Sequence, residues 1–245
     1  MQIHKLTYPS SALAALPRDR LSAFLLLGHF LTEANWLQKL LVIATHDETG
    51  NAAEVHARMA LSLMVTKLFA AKIHEGWNRI THGELQSTLD TLSLSSELSE
   101  LKQNLAERLC AESIIHRVRR SHAAHYLLSL SLEGLPNIAQ SDIALYMTPH
   151  AGDTVSVISE LSAAAEFNAI TGLNHMAQSV EIILKELIRV SELYSDFLHG
   201  TLEALIGESI AVKPVDEFID NADAPALQDV RLRFFATPPG SPGEP

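Results

Sequence analysis

The sequence is poor in cysteine and in basic residues, and each shortage excludes a class of protein. Cys110 is the only cysteine among 245 residues, so an internal disulfide and a cysteine-based zinc site are excluded, and we expect a small buried side chain. Acidic residues number 29 against 18 lysines and arginines, and the formal net charge is −11. This charge argues against a general nucleic-acid coat, because phosphate contacts need clustered basic side chains, but it allows a small basic pocket.

Long apolar runs are also missing. Leu21–Leu31 is apolar but is interrupted by Gly28 and His29, and no run reaches the roughly 18 residues that a membrane span requires. The first residues do not have the layout of a signal peptide. We therefore expect a protein without a membrane span, located in the reducing environment of the cytoplasm.

Leucine and alanine dominate the composition of the chain, and they recur at helical spacing. Pro17 begins a first helix that runs to about residue 45, and Asn51 can cap a second helix over Ala52–Ile80. The two should form an antiparallel hairpin. Trp36 and Trp77 lie at helical spacing within them and are expected in the core, as are Leu25 and Leu68.

Further helices are predicted after this hairpin, with one β interruption. They are a short helix at Glu84–Leu89, a run from Leu98 to Leu109 that leads into Ile114–Leu130, and helices over Glu160–Ile170 and from Leu173 to about Ile206. Residues 143–158 place two β-favouring runs around a Pro/Gly/Asp loop, which predicts a small hairpin. The predicted fold class is therefore mostly all-α, a helical bundle with a small β-hairpin.

The domain organisation follows from where this pattern begins and decays. Residues 1–16 are interpreted as a loosely ordered lead-in, residues 17–210 as one helical domain, and residues 211–245 as a proline-rich, mobile tail. Val230–Phe235 interrupts the tail with apolar residues and is expected to dock on the body, in cis or on a dimer mate.

The segment Ile114–Leu130 contains the candidate functional residues. It places three arginines and three histidines in ten residues of an otherwise acidic chain. At about 100° per residue, Arg117, Arg120, Ser121 and His125 fall on one broad side of a helix. A guanidinium can fork onto phosphate oxygens and a histidine can transfer a proton near neutral pH, so this side could cleave a phosphodiester without a metal.

The run RSHAAH at Arg120–His125 resembles the R-polar-x3-H signature of the HEPN superfamily (higher eukaryotes and prokaryotes nucleotide-binding), and an aromatic residue follows it. The resemblance implies an α-helical bundle, a homodimer, and a metal-independent endoribonuclease of toxin or defence type. It nominates Arg120, Ser121 and His125 as catalytic residues, with Arg117 and His122 as secondary, binding candidates. It also implies RNA as the substrate and, for a toxin, a cognate antitoxin as partner.

Two other interpretations remain open. The acidic charge favours a non-catalytic interaction or dimerisation protein built on the same bundle. Twelve histidines suggest a metal-dependent helical-bundle enzyme, but no HExxH or other recognised ligand spacing supports it, so we expect no metal and no cofactor. Phosphate-binding glycine motifs are absent from the sequence as well.

Overall fold

The computed structural model describes residues 2–46, 50–120, 144–148, 154–220, 224–230 and 232–235. Helices dominate this part of the chain, and two small antiparallel sheets accompany them. In chain order the elements are β1 (Gln2–Thr7), α1 (Ser10–Ala14), α2 (Arg18–His46), α3 (Ala52–Thr81), α4 (Gly83–Leu89), α5 (Ser96–Arg108), α6 (Ile114–Val118), β2 (Leu145–Met147), β3 (Thr154–Ser156), α7 (Val157–Thr171), α8 (Met176–Ser209) and β4 (Val215–Asp220), followed by a 3₁₀ turn at Leu227–Asp229. The predicted fold class, a mostly α-helical bundle with a small hairpin, is confirmed.

The first two long helices, α2 and α3, pack against each other as the sequence predicts. Asn51 begins α3, because its side chain accepts a hydrogen bond from the backbone N–H of Glu54 at 3.0 Å and so satisfies a free donor of the first turn. An ion pair of 2.7 Å between Lys72 of α3 and Glu33 of α2 joins their exposed edges.

The longest helix, α8, runs through the middle of the bundle and contacts α2, α5 and α7. Its apolar side chains recur every three or four residues, which places them on one face. The largest of the fully buried ones are Ile183, Leu187, Tyr194, Phe197 and Leu198. Gly172, with φ of 75°, ends α7 in the left-handed region and lets the chain turn back into α8.

Some predicted core positions are wrong. Trp77 is buried, but Trp36 is 63% exposed, Leu25 is 61% exposed and Leu68 is 44% exposed. Helix α2 carries leucines on both faces, so spacing alone does not show which face meets the core. Cys110 is exposed rather than buried, because it lies in the turn between α5 and α6.

The predicted hairpin near residues 143–158 is present as β2 and β3, with Tyr146 opposite Val155. The second sheet was not predicted. Strands β1 and β4 pair antiparallel, with Ile3 opposite Ile219, and they lie within the segments interpreted as lead-in and tail. Their pairing joins positions some 212 residues apart, which no local pattern can reveal.

The chain after β4 returns to the helical body. The backbone N–H groups of Phe234 and Phe235 donate to the carboxylate of Glu54, at 3.4 and 3.3 Å. This part of Val230–Phe235 therefore docks in cis, on the first turn of α3. Among the described helices, none combines the length and the apolar character needed to cross a membrane.

Candidate functional site

The arginine-rich segment enters the structure through the short helix α6. Ser113 caps its first turn by accepting a hydrogen bond from the N–H of His116 at 3.1 Å. Ile115 and Val118 are fully buried, and α6 contacts α3, α7 and α8. Two buried side chains in so short a helix fix its orientation, so the arginines between and after them project from a rigid base.

The predicted helix over Ile114–Leu130 is described only at its beginning. Arg117, Arg119 and Arg120 belong to the described residues. Ser121, His122 and His125 lie outside them, so the predicted catalytic set is represented here by Arg120 alone.

Arg117 and Arg119 are both engaged by the protein itself. Arg117 donates to the backbone carbonyl of Ile170, in the last turn of α7, where a positive charge complements the helix dipole. Arg119 forms an ion pair with Glu75 of α3. These contacts fasten α6 to its two neighbours, so Arg117 acts at least as a structural residue.

Arg120 differs from these two arginines. It is exposed, and within the described residues it has neither a hydrogen bond nor an ion pair. Its guanidinium is therefore accessible to an anionic ligand, at the end of a helix that the core and two arginine contacts hold in place.

A pair of histidines lies beside the arginines. His74 Nε2 of α3 is 2.8 Å from His116 Nδ1 of α6. Burial, more than the nearby positive charges of His116 and Arg119, lowers the pKa of His74, and Glu75 opposes this shift. A neutral pair at this distance shares one N–H, so one ring donates and the other accepts, and the tautomers of the two rings are coupled. The sequence suggests His74 only as one of many histidines, because its partner is 42 positions away.

Two more charged contacts cross from α3 to α7. His56 Nδ1 lies 2.9 Å from Glu160 Oε2, and Lys67 Nζ lies 3.2 Å from Glu166 Oε2. Burial raises the pKa of Glu160 against the opposing effect of His56, and burial lowers the pKa of Lys67 against the opposing effect of Glu166.

His56, Lys67 and His74 are separated by 11 and 7 positions, which puts them on one side of α3 at 3.6 residues per turn. The side of α3 that faces α6 and α7 therefore carries a row of polar contacts within an otherwise apolar bundle.

A metal centre is the third possibility for this site. Within the described ranges, no group of three or more His, Cys, Asp or Glu side chains is arranged to hold a metal ion. The His74–His116 pair supplies two nitrogens, and the neighbouring Arg119 disfavours a cation there.

Comparison of the chain with protein-family models, with curated proteins and with solved structures finds no match. The resemblance to the HEPN superfamily therefore rests on the residues of the RSHAAH segment themselves.

Proposed function

We propose that this protein is a HEPN-like, metal-independent endoribonuclease whose site comprises Arg120, Ser121 and His125. The observation that supports the proposal is the accessibility of Arg120, which has no partner among the described residues while its two neighbouring arginines are held by Glu75 and by Ile170. An exposed guanidinium without a partner among the described residues, beside a helix that two buried side chains hold in place, is available to meet an anion.

The proposed reaction is attack of a ribose 2′-hydroxyl on the adjacent phosphorus. His125 takes the hydroxyl proton, the O2′–P bond forms, and the P–O5′ bond breaks as the leaving oxygen gains a proton. Arg120 stabilises the charge that builds on the phosphate oxygens, and Ser121 orients the two side chains. The products are a 2′,3′-cyclic phosphate and a 5′-hydroxyl, and His122 is a secondary contact for the RNA.

The test compares the purified wild-type chain with Arg120→Ala and His125→Ala on RNA in the presence of EDTA. Each substitution should lower the cleavage rate by about 10²–10⁴ without changing helicity or melting temperature, because a positioned acid or base contributes about that factor. Arg189→Ala, at an exposed arginine of α8, is the matched control and should cleave normally. DNA should be spared, since it lacks the attacking hydroxyl. Cleavage that requires a metal ion would contradict the mechanism.

A second candidate function, a dimeric interaction protein, is favoured by the outer face of α2. Leu25 and Trp36 are more than half exposed there, although both are large apolar side chains that normally seek burial. We propose that this face forms a homodimer interface. A cognate antitoxin belongs to the first proposal, as the partner of a toxin ribonuclease. Trp36→Glu should shift the sedimentation coefficient towards the monomer. Wild-type protein that leaves RNA intact, together with an Arg120→Ala variant of altered oligomeric state, would decide for this second function.

A further inference from the structure

A groove of about 390 Å³ lies on the side of α3 near its beginning, away from α6. Its floor is apolar and comes from α3, chiefly Ala57, Ala60 and Met64. Met64 is 60% exposed, which is unusual for so apolar a side chain and leaves a large part of it in contact with the groove. The size falls within the roughly 300–1,000 Å³ that small-molecule sites occupy.

One wall of the groove is the β2–β3 hairpin, and it is fastened to α3. The ring of Tyr146 stacks on His56, with centroids 5.5 Å apart, and His56 is bonded to Glu160 at the start of α7. The N–H of Val157 donates to the carbonyl of Ala144 at 3.1 Å and closes the hairpin base. An isolated hairpin is marginal in water, so these contacts hold this wall in place.

The opposite wall is residues 232–234, and it is fastened too. Glu54 is 5% exposed, and its carboxylate accepts the two backbone N–H groups of Phe234 and Phe235. Hydrogen bonds to a carboxylate are stronger than those between neutral groups. The groove thus lies between two segments, of which one is attached to α3 by ring stacking and the other by hydrogen bonds.

The polar groups that line the groove carry positive charge or are neutral. Arg233 is exposed and contributes a positive charge, and Thr154, Ser156 and Ser159 contribute hydroxyl groups. Arg58 also lines the groove, but it is 8% exposed and has interactions of its own within the protein. Among the described residues no carboxylate lines it. Apolar walls with a few convergent polar groups are the usual composition of a small-molecule site.

We propose that this groove binds a small amphipathic monocarboxylate, whose chain lies on Met64 and whose carboxylate meets Arg233 and the hydroxyl groups. A guanidinium forks onto a carboxylate in a planar, bidentate arrangement. The formal net charge of −11 favours a singly charged anion over a multiply charged one, because repulsion by the whole chain grows with ligand charge. Arg120, the described member of the proposed nuclease site, does not line this groove, and the binding test below does not depend on RNA cleavage.

The test is isothermal titration calorimetry of the full chain with octanoate, with octylammonium as the probe of opposite charge. Octanoate should bind at one site per chain and octylammonium at least about tenfold more weakly, since a charged hydrogen bond is worth that factor or more. Equal affinity for the two probes, or no saturable binding of octanoate, would overturn the proposal.

Two variants locate the site. Met64→Trp fills the groove from an exposed position, and Arg233→Glu reverses the charge of an exposed wall residue. Each should weaken octanoate binding about tenfold or more while circular dichroism and melting temperature stay near wild type. Ile182→Trp and Arg189→Glu, exposed positions on α8, are the matched controls and should bind octanoate normally.

Unchanged affinity in both groove variants would place octanoate elsewhere and refute the site. A Met64→Trp protein whose sedimentation coefficient falls while its octanoate affinity is unchanged would show that a second copy of the chain occupies the groove instead.

Discussion

Removal of Lys67 should be among the costliest single changes to this protein. Glu166 is completely buried, and the side chain of Lys67 is 13% exposed, so the pair has almost no access to water. Substitution by methionine keeps the length and apolar volume of the lysine side chain and removes its charge. Lys67→Met therefore leaves a fully buried carboxylate without its ammonium partner.

The magnitude follows from the distance. At 3.2 Å, two unit charges attract by about 5 kcal/mol at an effective dielectric constant of about 20. Desolvation of both groups offsets much of this attraction in the intact pair. Removal of Lys67 takes away the charge that compensates most of the desolvation of Glu166, and breaking a buried ion pair in this way typically costs about 3–5 kcal/mol. We expect Lys67→Met to lose that much of its free energy of unfolding near neutral pH.

The assay is urea unfolding followed by circular dichroism, at two protein concentrations so that any dimerisation is detected. Lys67→Met/Glu166→Leu should recover most of the loss, because apolar replacement of a whole buried pair is often neutral or stabilising. The matched control is Lys185→Met, which breaks an exposed i,i+4 pair with Glu181 at 2.6 Å and should leave the midpoint nearly unchanged. Equal effects of Lys67→Met and Lys185→Met would refute this reasoning.

Three other changes test separate contacts. A Cβ at Gly76 would overlap the hydroxyl of Tyr194 and lie 3.2 Å from its Cζ, so Gly76→Ala should cost about 1–3 kcal/mol of unfolding free energy, and adding Tyr194→Phe, which removes the closer of the two contacts, should restore part of it. Failure of the double variant to recover would contradict the assignment of the clash. Burial raises the pKa of Glu160 above its ordinary 4.5, so its contribution to stability is complete below that pH and is lost as the pH rises through the raised value. Urea unfolding should show that the free energy of unfolding of Glu160→Gln rises relative to that of wild type as the pH increases from 4.5. A difference in unfolding free energy that does not change with pH would count against the raised pKa. Glu54→Gln should accelerate amide hydrogen exchange at Phe234 and Phe235, and unchanged exchange would mean that the carboxylate does not hold this segment.

The sequence predicts the helices of this protein well because the signals that define a helix, its apolar spacing and its capping residues, lie within one short stretch of chain. The leucine spacing of α3 and its Asn51 cap lie within one stretch of chain, so periodicity and end signals suffice. The exposed position of Trp36 shows the limit of such signals. Helix α2 is apolar on opposite sides, and only its packing on α3 and α8 decides which side is buried.

The charged contacts inside the bundle could not be predicted in the same way. His74 meets His116 only because α6 turns towards α3, and Lys67 meets Glu166 only because α7 crosses α3 at a particular rotation. These depend on the relative rotation of helices, which small apolar side chains determine collectively. The composition of the sequence shows the arginine cluster. It does not show that Glu75 and Ile170 bind two of these arginines.

The β1–β4 ribbon has a consequence for synthesis of the chain. Lys5 and Glu217, which form an ion pair across it, are 212 positions apart. At about 5–20 residues per second, β1 leaves the ribosome roughly 10–40 s before its partner strand exists. During that interval the edge of β1 is unpaired, with the apolar side chains of Ile3 and Leu6, which stay 39% and 55% exposed even in the finished ribbon. A nascent chain that stalls before residue 215 thus leaves β1 without its partner strand and its two apolar side chains uncovered, the kind of feature that chaperones and proteases of protein quality control recognise.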